Sequence, residues 1–133
     1  MIIRIITILL ISAGFVLAAE NPVDFRVLAT NRTSTMEKEL NEASEAGFRM
    51  DKVMGGNTEF GGSEVVVVMS KKKAAPAVKK YSYKLLATSK TSTIQKELQT
   101  AGDLGFSFVG VTVGKTAYGG KEVLSILKKE IPL

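Results

Sequence analysis

Cysteine, histidine and tryptophan are all absent from the 133-residue sequence. Without cysteine there is no disulfide framework and no thiolate metal site. Without histidine there is no imidazole ligand, no Ser–His nucleophile system and no proton shuttle working near neutral pH. Haem held by His or Cys is excluded for the same reason. No metal and no cofactor is therefore expected, and no catalytic residue is assigned. Proline is scarce, at three residues. What remains is 45% apolar and 23% charged, with a formal charge of +5. Those fractions belong to a folded chain rather than a disordered one, and the length predicts one domain or two very small ones.

The first residues have a different character from the rest. Met1–Arg4 carries one positive charge, Ile5–Leu17 is an almost unbroken apolar run, and Val16-Leu17-Ala18 precedes Ala19-Glu20. This three-part pattern is that of a secretory signal peptide, with cleavage expected after Ala18, or alternatively after Ala19. The apolar run is shorter than the roughly 20 residues that a membrane-spanning helix needs. No cysteine lies nearby to take a lipid anchor. The expected product is a cysteine-free periplasmic or secreted protein, of bacterial type, with no membrane span after cleavage.

The rest is one unit written twice. Residues 25–71 align with 83–129 at an offset of 58 without a gap, and 20 of the 47 pairs are identical. Leu28-Ala29-Thr30 recurs as Leu86-Ala87-Thr88, Thr33-Ser34-Thr35 as Thr91-Ser92-Thr93, and Lys38-Glu39-Leu40 as Lys96-Glu97-Leu98. A tandem duplication accounts for this, and two copies are too few for a solenoid. The organisation read from the sequence is a signal peptide over 1–18, a first repeat over 19–70, a lysine- and proline-containing linker over 71–80 and a second repeat over 81–133.

Each repeat reads strand–helix–strand–strand. Phe25–Thr30 alternates with period two, and Met36, Leu40 and Ala43 follow helical spacing. Ser34 with Glu37, and Ser92 with Gln95, have the spacing of capping boxes. Gly47 and Gly105 stand where a left-handed residue ends a helix, with Phe48 and Phe106 as the apolar contact after it. The apolar runs Val65–Met69 and Val123–Leu127 predict central strands covered on both faces. A right-handed crossover with the last strand between the first two gives the spatial order 1-3-2. The fold class is α+β: tandem βαββ repeats forming a pseudo-dimer, with a six-stranded antiparallel sheet and both helices on one face. Leu28, Val66, Val68, Leu86, Leu124 and Ile126 are expected on the opposite face. That face is too apolar for open water, so sheet curling, face-to-face stacking or another chain must cover it.

Tyr83-Lys84-Leu85-Leu86, a helix, Leu104–Val109 and then Glu122–Lys129 form a recurring pattern. The chain resembles a family of small uncharacterised βαββ domains with a YKVV…GWELV-type signature, with phenylalanine in place of the tryptophan in both repeats. The resemblance implies the βαββ fold and carries over no catalytic residue.

The glycine-rich connections between the second and third strands are the candidate binding regions. They hold Asn57, Thr58 and Phe60 in the first repeat and Lys115, Thr116 and Tyr118 in the second. Glycine-rich loops can turn backbone N–H groups toward an anion, and loop aromatics on a rigid scaffold often bind. Gly114-Lys115-Thr116 is not a nucleotide loop, because Val109 stands where the first glycine is needed and a strand follows. Glu64 and Glu122 recur at the start of the third strand, without a nucleophile or base beside them. The linker lysines have no aromatic between them to stack a base, so no nucleic acid is expected. Residues 20–70 carry five positive and nine negative side chains, and residues 71–133 carry twelve and four. The expected mode of action is non-enzymatic contact, with itself as a homo-oligomer or with another envelope or extracellular protein. The alternative is a small ligand or anion held at the glycine-rich loops.

Overall fold

The computed structural model describes residues 22–58, 62–74, 79–115 and 120–132. The segment read as a signal peptide lies outside them. The first repeat forms β1 (Val23–Thr30), α1 (Thr33–Glu45), β2 (Arg49–Thr58) and β3 (Gly62–Lys72). The second forms β4 (Lys80–Thr88), α2 (Thr91–Asp103), β5 (Ser107–Lys115) and β6 (Lys121–Ile131). The architecture is α+β, with two βαββ halves. All strand pairing is antiparallel, in the orders β1-β3-β2 and β4-β6-β5, which is the 1-3-2 order expected.

The single six-stranded sheet is corrected to two sheets of three. The reason is that the outer edge of β4 is already occupied, by side chains of α1 rather than by a strand. Asn41 Nδ2 donates to the Tyr83 carbonyl at 3.0 Å, and Asn41 Oδ1 accepts from the Tyr83 N–H at 2.9 Å. Glu37 Oε2 accepts from the Leu85 N–H at 2.9 Å. The Ser44 hydroxyl donates to the Tyr81 carbonyl and accepts from the Tyr81 N–H. Positions 37, 41 and 44 share one flank of a helix, while 81, 83 and 85 share one edge of a strand. The helix thus answers alternate edge groups in place of a neighbouring strand.

The helix starts also differ from expectation. Arg32 and Lys90 are the N-cap residues, and neither helix has a side-chain cap bond. Ser34 and Ser92 are exposed within the first turn. Thr30 Oγ1 accepts from the Arg32 N–H at 3.1 Å, and Thr88 Oγ1 from the Lys90 N–H at 3.2 Å, so a threonine two residues earlier fixes each entry. Glu37 is drawn from its capping role to the edge of β4. Ser34→Ala is accordingly expected to change unfolding free energy by no more than about 0.5 kcal/mol in denaturant melts. The helix ends are as read from the sequence. Gly47 and Gly105 have φ of +93° and +89°. Phe48 N–H donates to the Ala43 carbonyl and Phe106 N–H to the Ala101 carbonyl, which closes the Schellman pattern. Lys71 Nζ on the Ala46 carbonyl and Lys129 Nζ on the Leu104 carbonyl repeat the same C-terminal support in both halves.

Residues directly opposite in an antiparallel pair share a face. Leu28, Val53 and Val67 therefore lie together, with Val65, Met50 and Met69, on the front that α1 covers. Phe25, Val27, Met54, Val66 and Val68 form the back. By the same registers Leu86 is on the front of the second sheet, and Tyr83, Leu85, Leu124 and Ile126 are on its back. Leu28 and Leu86 are thus reassigned to the helix side, and Phe25 and Val27 take the place expected of Leu28.

The halves stack front to back. One core joins Met36, Leu40, Ala43, Met50, Val65, Val67 and Met69 of the first half to Tyr83, Leu124 and Ile126 of the second. Burial of each large aliphatic side chain there contributes about 1.5–3 kcal/mol. Leu124 to Leu127 of β6 are all buried, as a strand covered on both faces should be. The expectation fails for β3, where Val65, Val67 and Met69 are buried but Val66 and Val68 are only half-buried. The back of the first sheet has no layer over it among the described residues.

Candidate functional site

Two features of this arrangement present chemistry to the outside. The first is a cleft of about 190 Å³ between the halves, smaller than ordinary small-molecule sites of roughly 300–1,000 Å³. It lies where the start of α1 meets the strand ends that lead into the glycine-rich connections. Asn57 and Lys115, from equivalent positions of the two repeats, both line it. Asn57 is held by the Ser63 hydroxyl, which donates to its Oδ1 at 2.9 Å. Lys115 is directly opposite Lys121 across the β5–β6 pair, a like-charge placement that an anion would relieve. Arg32 adds a third cation, and Glu64 and Glu122 bring two carboxylates to the same cleft. The backbone of Thr58 pairs with Gly62. The Thr58 side chain, and Phe60, Thr116 and Tyr118 entirely, lie outside the described residues. Among the described residues no group of three Asp or Glu is placed to hold a metal, and no helix is long and apolar enough to cross a membrane.

The second feature is a pair of apolar surfaces: the back of the first sheet, expected as an apolar face but through Leu28 rather than Phe25 and Val27, and part of the front of the second, which was not expected. On the back of the first sheet Phe25 is 70% exposed and Val27 63% exposed, and Met54, across Val66 on the far strand of the same face, is also exposed. The equivalent of Phe25 in the second half is Tyr83, which is 3% exposed. On the front of the second sheet Phe108 is 56% exposed, with Val111 and Val113 similarly open. The equivalent of Phe108 in the first half is Met50, at 8%. Each surface that is covered inside the chain therefore has an uncovered counterpart at the other end of the stack. The comparison of the two repeats, position by position, was the signal available in the sequence.

Tyr83 sits at the centre of the covered interface. Its hydroxyl accepts from the Met50 N–H at 2.9 Å, beside the register shift between Met50 and Lys52. A bulge leaves a backbone group without a ladder partner, and the phenol supplies one. Burial pushes the Tyr83 hydroxyl above its ordinary value of 10.0, an effect larger than the opposing one of the Met50 N–H. The folded chain thus holds this proton more tightly than the unfolded chain. The associated stability is complete below pH 10 and is lost as the pH rises beyond it. Denaturant melts on either side of that pH should show an alkaline decline that is shallower in Tyr83→Phe.

No family model, no characterised protein and no solved structure matches the chain.

Proposed function

We propose that the protein is an exported, non-enzymatic module that acts by protein–protein contact through the uncovered back of its first sheet. The observation that carries this reading is the exposure of Phe25, Val27 and Met54 on one sheet face, with half-buried Val66 and Val68 between them. An apolar sheet face of this kind is a contact surface rather than a solvated one. Export to the periplasm or the medium rests on the pattern of residues 1–18, and intact mass would report cleavage after Ala18. Photo-crosslinking in the producing cell tests the contact. A photoreactive residue at position 27 is expected to trap a protein adduct, while one at exposed Thr100 on α2 traps none. Absence of any adduct at position 27 removes the reading.

A second reading is anion binding in the cleft, favoured by the opposed Lys115 and Lys121 with Arg32. Phosphate should then raise the melting temperature of the wild type more than that of Lys115→Gln. Equal shifts dispose of this reading.

A further inference from the structure

The interface between the halves is heterologous, and this fixes what would fit the surfaces it leaves over. The front of the first half takes the back of the second. The back of the first half remains open, as does the β5 strip of the second half's front at Phe108, Val111 and Val113, and both belong to repeats of the same unit. Head-to-tail contacts of this type do not close on themselves within a pair. We infer that the occupant of the open back is the open front of a second copy of this chain, stacked head to tail in continuation of the internal interface. This rests on the contact reading above and names its partner.

The open surfaces retain most of the internal recipe. Phe25, Val27, Val66 and Val68 stand where the covered back has Tyr83, Leu85, Leu124 and Ile126. Phe108 and Val111 stand where the covered front has Met50 and Val53. The flank of α2 carries carboxamides at Gln95 and Gln99, in the places of Glu37 and Asn41. The edge of β1 at Phe25 and Val27 corresponds to the edge of β4 at Tyr83 and Leu85. The surfaces that would meet also belong to halves of opposite net charge, which favours this pairing over like with like.

The copy is not exact, and the differences set its strength. Gly102 replaces Ser44, which removes one edge bond. Val113 replaces Gly55 and Lys52 replaces Gly110, so two close backbone approaches are not repeated. The contact between chains is therefore looser than the internal one and reversible.

Sedimentation of the chain purified from its producing cell tests the inference, with Val27→Asp and Val111→Asp as probes. Both side chains are mostly exposed, and circular dichroism checks that each variant is folded. The wild type should associate progressively with concentration. Each variant alone should associate about tenfold more weakly or worse, because a charge enters the contact. An equimolar mixture should recover association but stop at a dimer of one of each, since each variant keeps the surface the other lacks. Self-association of Val111→Asp at wild-type strength would mean back-to-back pairing and overturn the inference. So would a wild type that stays monomeric at millimolar concentration. If position 27 nonetheless traps a different protein in the cell, the contact reading survives and only the self-stacking is lost.

Discussion

Asn41→Leu is expected to lower the unfolding free energy by about 2–4 kcal/mol, because it strands two backbone groups at once. The Tyr83 N–H and carbonyl each have Asn41 as their partner at 2.9 and 3.0 Å. Leucine fills similar space and answers neither. An unmet donor and an unmet acceptor at a partly buried edge cost about 1–3 kcal/mol apiece. The corresponding change in the second repeat, Gln99→Leu, touches only an exposed bond to Asp103 Oδ1 at 3.0 Å. It should leave the melt of the dilute chain within about 0.5 kcal/mol of wild type. Paired urea melts measure both. Equal effects of the two substitutions would mean that the helix-to-edge bonds contribute nothing special to holding the halves together.

Gly55→Ala has the other large expected effect, and Gly56→Ala should have almost none. A Cβ on Gly55 would lie 2.4 Å from the Val113 carbonyl oxygen and 2.9 Å from Thr112 Oγ1. The first neighbour is backbone, so β2 and β5 must move apart to admit a methyl group. Overpacking of this kind costs about 1–3 kcal/mol, and here it acts across the seam between the halves. A Cβ on Gly56 meets nothing within 4 Å. Alanine there should be neutral within about 0.5 kcal/mol in the same melts. Gly55 is thus a spacer between two sheets, although it stands in what reads as a loop-forming glycine pair.

That contrast shows what the sequence could and could not disclose. The βαββ repeat was legible because each element depends on neighbours close in the chain: the period-two pattern of β1, the helical spacing of Met36, Leu40 and Ala43, and the glycines that end each helix. The strand order followed from crossover handedness. The relation between the repeats was not legible, because it depends on side chains that act across 37 to 48 residues of sequence, such as Ser44 on Tyr81 and Glu37 on Leu85. Glu37, three residues after Ser34, fits a capping box equally well when read locally, which is why one was expected there; the edge of β4 takes its carboxylate instead. Of the candidate site residues, Asn57 and Lys115 both line the cleft between the halves. The exposed back was anticipated as a face but assigned through Leu28, since alternation alone leaves open which set of β1 side chains faces the helix. The paired register decides it.

The order in which the chain is made gives the front-to-back stack a further consequence. Chains emerge from the N-terminus, and early segments begin to fold before later ones exist. The flank of α1 with Glu37, Asn41 and Ser44, and the Met50–Val53 strip beside it, are complete well before β6 delivers Leu124 and Ile126. During that interval the first half has a finished receptor and no cover. Where two chains fold side by side, the second half of one would be able to settle on the first half of the other. The interval between completion of that receptor and arrival of β6, together with the local density of folding chains, would then set how much swapped product forms, with no change in the sequence itself.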